Sequence, residues 1–249
     1  MNRTLVIIPT YDERENIESI VRRALGSAQV DVLVVDDGSP DGTADIVDAM
    51  ARADDRISLM RRAGKGGLGA AYTAGFAYAH ERGYELVVEM DADGSHPPER
   101  LDAMIARFDH DASDLGCVIG SRWVKGGSVV NWPAHRRLIS RAGSLYARLM
   151  LGVPVRDVTA GYRVYPTAVL QRLDLGSIES KGYCFQIDMT RRVHGAGLRI
   201  VELPIEFRER ELGQSKMSGA IVVEAMWRVT VWGFQRAAGG TSRVFGQRG

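Results

Sequence analysis

Short apolar runs alternate along this chain with stretches of helical spacing. Thr4-Leu-Val-Ile-Ile-Pro9 and Asp31-Val-Leu-Val-Val-Asp36 are continuous aliphatic runs, rich in β-branched residues and bounded by turn residues. That is the pattern of strands buried on both faces. Between them Ile17, Ile20, Val21 and Leu25 recur at helical spacing over residues 13–25. The alternation continues with a helix from Thr43 through Ile46, Val47 and Met50, a strand over 56–60, a helix over 70–81 and a strand over 85–90. Strands separated by helices imply crossover units and a mostly parallel central sheet flanked by helices, an α/β fold.

The second half is less regular. A strand is predicted over 115–120, a helix over 136–151, and one or two strands over 199–207 with a break at Pro204. An amphipathic helix over about 218–235 closes the domain, and the polar, glycine-containing residues 241–249 are expected to be a disordered tail. No repeat, low-complexity stretch or linker divides the chain, so residues 1–240 are expected to form a single domain.

Composition narrows the partners rather than the fold. With 249 residues the chain can bury a sizeable core. Its net charge of +1 argues against a generally basic nucleic-acid binder, so an anion site must come from local clustering. Its two cysteines, Cys117 and Cys184, stand far apart and in no metal-ligand spacing, which suits a reduced cytoplasmic chain. Met1-Asn-Arg-Thr runs straight into a strand, so no signal peptide is expected. No apolar stretch reaches the roughly 18 residues that a membrane-spanning helix needs, so none is expected.

Chemistry concentrates at the strand ends. Asp91-Ala-Asp93-Gly-Ser-His-Pro-Pro follows a buried strand, and Gly94 with the two prolines suggests a bend at which both carboxylates serve one site. Two close carboxylates repel unless a cation or a shared proton separates them. A hard divalent cation completed by substrate phosphates is one solution, and a solvated turn is the plainer one. Asp36-Asp37 ends the second strand in a segment full of turn and cap residues, where a carboxylate can hold ribose hydroxyls or a base amine, or cap a helix, or do both. Ligands of parallel sheets bind beyond the carboxyl ends of strands. Pro9-Thr-Tyr11, Asp36-Asp37 and Asp91-Ala-Asp93 all lie at such ends.

Gly64-Lys-Gly66-Gly-Leu-Gly69 matches a dinucleotide fingerprint in spacing but follows the third strand rather than the first. With Arg61, Arg62 and Lys65 beside it, it fits a basic loop near phosphates instead. Further basic residues gather downstream: Arg122, Arg136, Arg137, Arg141, Lys181, Arg208, Arg210 and Lys216. Set against carboxylates that hold a metal, they fit the counter-charges of a polyphosphate. Two helices are amphipathic. One carries Leu138, Ala142, Leu145 and Leu149 on a stripe opposite arginines, and the last carries Ile221, Val222, Ala225, Met226, Val229, Trp232 and Phe234. Each fits either core packing or a membrane surface or partner.

Taken together, these motifs resemble the polyprenol-phosphate (dolichol-phosphate) mannosyltransferases of glycosyltransferase family 2 over roughly residues 4–235. The resemblance rests on Ile8-Pro-Thr-Tyr-Asp-Glu13, Val35-Asp-Asp-Gly-Ser-Pro-Asp-Gly-Thr43, the glycine loop at 64–72, Met90-Asp-Ala-Asp-Gly-Ser-His-Pro-Pro-Glu99, Gly120-Ser-Arg122, Thr159-Ala-Gly-Tyr-Arg-Val-Tyr165 and Lys181-Gly-Tyr-Cys-Phe-Gln. It implies the GT-A nucleotide-sugar-binding fold and inverting, metal-dependent transfer of mannose from GDP-mannose to a polyprenyl monophosphate. The rival within enzymes is a transferase moving glucose or another sugar to the same lipid class. The resemblance places the nucleotide sugar against Pro9, Tyr11, Glu13, Val35, Asp37, Asp91, Ala92 and Asp93, with Lys181, Arg210 and Lys216 on the phosphates. It assigns Arg122, Arg136 and Ser140 to the acceptor phosphate, and Asp93 and Arg122 to catalysis. Mg²⁺ or Mn²⁺ would sit on Asp93. Where members often carry Gln two positions on, this chain has Ser95, whose hydroxyl is a weaker ligand. The resemblance also implies a short form that sits on the inner face of a membrane or on a membrane-protein partner, without a spanning helix.

Overall fold

The structure, a computed structural model, describes residues 3–27, 29–64, 66–110, 114–178, 183–209 and 219–245. In chain order the elements are β1 (Thr4–Thr10), α1 (Ile17–Ala24), β2 (Val30–Asp36), α2 (Thr43–Ala51), β3 (Ile57–Arg61), α3 (Leu68–Glu81), β4 (Leu86–Glu89), the short α4 (Leu101–Ile105) and α5 (Arg107–His110), β5 (Leu115–Ser121), β6 (Ser128–Val130), α6 (Ala134–Leu151), β7 (Arg163–Pro166), α7 (Thr167–Arg172), α8 (Tyr183–Gly195), β8 (Arg199–Pro204), β9 (Glu206–Arg208) and α9 (Gly219–Phe245). Seven strands form one sheet in the order β3-β2-β1-β4-β7-β5-β8, and β6 pairs with β9 in a small second sheet.

Alternation along each strand builds the core in two layers. Leu5, Ile7, Leu33, Val35 and Val87 face one layer, with helix residues such as Tyr72, Phe76 and Phe185. Val6, Ile8, Val32, Val34 and Val88 face the other, against Ile17, Val21, Val47 and Met104. Helices cover both faces, which is why β1, β2 and β4 read as unbroken apolar runs. Cys117 and Cys184 are buried in the protein rather than joined.

The sheet departs from uniform parallel order at β7, which runs antiparallel to both β4 and β5. This strand was absent from the sequence reading for a physical reason. It is four residues long and opens on Arg163, which is fully buried. A charge in mid-sheet breaks the apolar pattern, and here it is tolerated because every edge of the guanidinium is met. It donates to the carbonyls of Ala160 (2.7 Å) and Val158 (2.8 Å) and to the hydroxyls of Thr190 (2.9 Å) and Tyr165 (3.2 Å). The break at Pro204 separates β8 from β9, as expected.

The last helix corrects the expected C-terminal boundary. It continues to Phe245, through part of the stretch expected to be a disordered tail, since no proline interrupts residues 235–245. Residues 246–249 lie outside the described residues. Among the described residues, no helix is long and apolar enough to cross a membrane.

Candidate active site

Four strand ends and one strand start share a rim. The carboxyl ends of β1, β2, β4 and β5 all point one way, because these strands are mutually parallel through the sheet. Because β7 runs against them, the segment that leads into it, residues 157–162, arrives at the same rim. The motif Thr159-Ala-Gly-Tyr162 thus meets Asp91-Ala-Asp93 although nearly seventy residues separate them.

At the acidic end, Ala92 is buried in the core while Asp91 and Asp93 on either side of it are half-buried at the rim. Gly94 then turns the chain with φ +76°, a conformation that a side chain resists. Asp91 is held on two sides. Its backbone N–H donates to His96 Nδ1 (3.0 Å), which leaves the proton of neutral His96 on Nε2, 3.8 Å from the Asp91 carboxylate. The Tyr72 hydroxyl donates to the same carboxylate (3.4 Å). Burial, reinforced by Asp91 and Glu89, pushes the Tyr72 hydroxyl well above its ordinary value, so it stays a donor. His96 stacks on Tyr162, with centroids 5.2 Å apart. A Cβ on Gly161 would come within 3.3 Å of the His96 ring, so this glycine keeps the approach to Asp91 clear.

The Asp93 carboxylate accepts the Ser95 backbone N–H (3.1 Å). Ser95 Oγ is buried and meets no hydrogen-bond partner among the described residues. Among the described residues no three His, Cys, Asp or Glu side chains converge as a metal cage. The donor set therefore fits a hard cation bound by one carboxylate, with Ser95 Oγ available, and completed by substrate oxygens. A cleft of about 300 Å³ opens beside Asp93, walled by Glu15, Asn16, Arg23, Arg208 and Glu209.

At the basic end, Arg122 is almost buried, at 5% exposure. Asp157, itself fully buried, accepts from the Arg122 backbone N–H (2.9 Å), Nε (2.8 Å) and Nη2 (2.6 Å), and Thr159 accepts from Nη2 (3.0 Å). Glu202 fixes that turn by accepting the backbone N–H groups of Arg156 (2.8 Å) and Asp157 (2.9 Å). Arg136 pairs with Glu209. The guanidinium groups of Arg122 and Arg136 lie 5.4 Å and 4.6 Å from the same Trp132 ring. Trp132 thus gathers two arginines that the sequence sets fourteen positions apart. Ser140 lies one turn beyond Arg136, on the same side of α6.

The two ends are joined by rings. Phe207 of β9 packs edge-on against both Trp132 (5.4 Å) and His96 (5.9 Å). Only two ring contacts therefore separate the histidine on Asp91 from the tryptophan under Arg122 and Arg136.

At the carboxyl ends of β1 and β2, Pro9 and Tyr11 stand at the end of β1, and Val35, paired with Pro9 in the sheet, is fully buried in the core. Glu13 is buried and accepts from Asn16 (3.0 Å). The two aspartates after β2 divide their labour. Asp36 holds the turn, accepting from Thr10, Gly38 and Ser39. Asp37 accepts from Arg62 (2.6 Å) and from the backbone N–H of Gly66 (3.2 Å), which ties the glycine loop to the rim. Lys65, Lys181, Arg210 and Lys216 lie outside the described residues. Sequence reasoning missed Asp157, Glu202, His96, Trp132 and Phe207. Asp157 stood two positions before a motif already singled out and His96 inside another, while no spacing signal pointed to Glu202, Trp132 or Phe207.

The mostly parallel sheet, with paired carboxylates and ordered arginines along one rim, is an arrangement of the GT-A type. A family model described as Glycosyl transferase family 2 matches residues 5–174, and the chain belongs to that family; it is a glycosyltransferase. It is 54% identical over 237 residues to a polyprenol monophosphomannose synthase of Mycolicibacterium smegmatis, covering 94% of this chain and 88% of that one. It is also 54% identical over 232 residues to an undecaprenyl-phosphate mannosyltransferase of Micrococcus luteus, covering 93% and 94%. Among solved structures the fold is shared with a mannosyltransferase of Pyrobaculum calidifontis in complex with GDP-Man and Mn²⁺, with TM-score 0.60 and 18% identity over 95% of this chain and 64% of that one. It is also shared with glucosyl-3-phosphoglycerate synthase of Mycobacterium tuberculosis in complex with Mn²⁺, UDP-glucose and glycerol 3-phosphate, with TM-score 0.65 and 19% identity over 92% and 80%.

Proposed function

We propose that this enzyme transfers mannose from GDP-mannose to a polyprenyl monophosphate, with inversion at the sugar carbon and with Mg²⁺ or Mn²⁺ on Asp93. The observation that carries the reading is the joined rim, with Asp91 and Asp93 at one end and Arg122 and Arg136 on one Trp132 ring at the other. The names of the two 54%-identical relatives support a mannosyl donor and a polyprenyl phosphate acceptor.

A phosphate monoester has its second pKa near ~6, so at neutral pH the nucleophile is already largely an oxyanion. No side chain has to remove a proton. The task is to bring one anion against a sugar that departs from another. Arg122, fixed by Asp157, and Arg136 with Ser140 hold the acceptor phosphate in line. Asp91, fixed by His96 and Tyr72, orients the donor sugar, and Asp37 with the glycine loop borders the nucleotide. When bound, the cation neutralises charge on the leaving diphosphate. Lys181, Arg210 and Lys216 supply further positive charge to the phosphates in this reading. Arg136 must exchange Glu209 for the acceptor phosphate, so its ion pair is the contact that binding replaces. The domain works as a peripheral enzyme on the inner face of a membrane.

The test is transfer of radiolabelled sugar into a polyprenyl phosphate from GDP-mannose and, separately, from UDP-glucose, with and without a chelator. Transfer from GDP-mannose alone, lost with chelator and restored by Mg²⁺ or Mn²⁺, is the expected result. Preference for UDP-glucose would favour the rival transferase.

A further inference from the structure

Helix α6 packs on the domain through one face and leaves the opposite face bare. Ser144, Ala147 and Leu151 are buried, whereas Leu138, Leu145 and Leu149 are 70%, 54% and 67% exposed. At 3.6 residues per turn those leucines lie within about 40° of one another, directly across from the buried side. The sequence stripe is therefore an outward-facing one. Arg137, Arg141 and Arg148 run along its flank. On its other flank lies α9, where Tyr146 meets Thr230 (2.6 Å) and Gly233 seats against Met150. Met226, Trp227 and Phe234 share the Thr230 side of α9 by helical spacing and are 52%, 69% and 68% exposed. Val229 and Trp232 turn away from it, Val229 buried and Trp232 packed against the core. The apolar surface thus continues across the seam between the two helices.

Beside it, Trp123, Leu145 and the three arginines Arg141, Arg148 and Arg156 line a pocket of about 170 Å³. The Arg141 guanidinium lies 5.0 Å from the Trp123 ring. Among the described residues no carboxylate pairs with any of the three, and α6 contains no acidic residue. Exposed arginines elsewhere, such as Arg22, Arg56 and Arg199, each meet a carboxylate. Three guanidinium groups around one small pocket repel one another unless an anion lies among them, and their planar forks match phosphate oxygens. The leucine at the pocket wall belongs to the exposed row, so the fitting anion is one attached to hydrocarbon.

We propose that Arg141, Arg148, Arg156 and Trp123 form a headgroup site for an anionic phospholipid, and that α6 and α9 lay their exposed apolar rows into an anionic bilayer around it. The site uses none of the residues assigned to sugar transfer, and it stands whether or not the donor is GDP-mannose.

The experiment is flotation of the full chain, without donor or acceptor, on phosphatidylcholine vesicles with and without phosphatidylglycerol. Binding is expected only with the anionic lipid. Each change of Arg141, Arg148 or Arg156 to Gln should weaken it roughly fivefold, and all three together on the order of a hundredfold. Leu145→Glu with Leu149→Glu should abolish it. A control triple, Arg22, Arg56 and Arg199 each to Gln, removes the same charge and should float like the parent. Soluble short-chain phosphatidylglycerol should compete where inorganic phosphate at equal concentration does not. Thermal melts of every variant establish that it is folded. Equal binding to neutral vesicles, or equal loss in the control triple, overturns the headgroup site. So does parent protein that ignores both vesicles and instead dimerises through the leucine row.

Discussion

Removal of Asp157 would leave the Arg122 guanidinium buried beside a missing carboxylate. Breaking a buried pair of this kind costs about 3–5 kcal/mol, so Asp157→Ala should lower unfolding stability by about that much in a denaturant titration. Transfer should fall further still, because Arg122 then loses its orientation. Asp93→Ala is expected to behave differently: transfer is abolished while the melting temperature stays near the parent value, since Asp93 is half-buried at the rim and not in the core. A folded Asp93→Ala enzyme with full activity at saturating Mg²⁺ would sink the cation assignment. Glu89 offers a test by pH. Burial, only partly offset by Arg163 and Gln186, raises its carboxyl from the usual 4.5 to about 8. The folded chain therefore keeps a proton that the unfolded chain releases. Between about pH 4.5 and about pH 8 unfolding sheds that proton, so stability falls as pH rises through this window and the fall ends above it. Glu89→Gln should remove this contribution, and its melting temperature should gain on the parent's as pH rises across the window. The rim carboxylates were plain in the sequence because they follow an apolar strand, and Asp157 was not. Its value comes from burial against Arg122, and burial between segments thirty-five positions apart leaves no local pattern.

Elements with one period were read well, and elements that serve two neighbours were not. β1, β2, β4 and β5 carry unbroken apolar runs because helices cover both faces of the sheet. β7 carries a buried arginine, and β6 is a three-residue strand, too short to establish alternation, whereas β9 was foreseen only through the break at Pro204. The helices α6 and α9 show how a stripe can be identified without its direction. The Leu138–Leu145–Leu149 row is apolar, yet α6 docks through Ser144, Ala147 and Leu151 instead. The seam with α9 depends on close approach, since a Cβ on Gly233 would come within 2.6 Å of Met150. Gly233→Val should therefore overpack the seam and lower stability by about 1–3 kcal/mol in chemical denaturation. Tyr146→Phe removes only the hydrogen bond to Thr230 and should cost about 1 kcal/mol. A Gly233→Val protein as stable as the parent would mean that the two helices do not pack as described.

At the scale of the molecule, a nearly neutral chain builds two adjoining cationic regions, in touch where the Trp123 and Trp132 rings meet. One, around Trp132, faces the carboxylates across the rim and suits a reaction between two phosphate-bearing substrates. The other, around Trp123, faces outward beside the leucines and suits a surface. The adjacent residues Arg122 and Trp123 divide them, so the reacting rim and the proposed membrane face are held a short distance apart by the same turn. A lipid-linked phosphate approaching from a bilayer would reach Arg136 and Arg122 at that turn. The most direct check of the account is sugar transfer by the purified chain into polyprenyl phosphate, measured with GDP-mannose and with UDP-glucose, before and after chelation. Labelled lipid from GDP-mannose alone, lost on chelation and regained with Mg²⁺ or Mn²⁺, is expected. Undiminished transfer in chelator, or none from GDP-mannose under any condition, contradicts it.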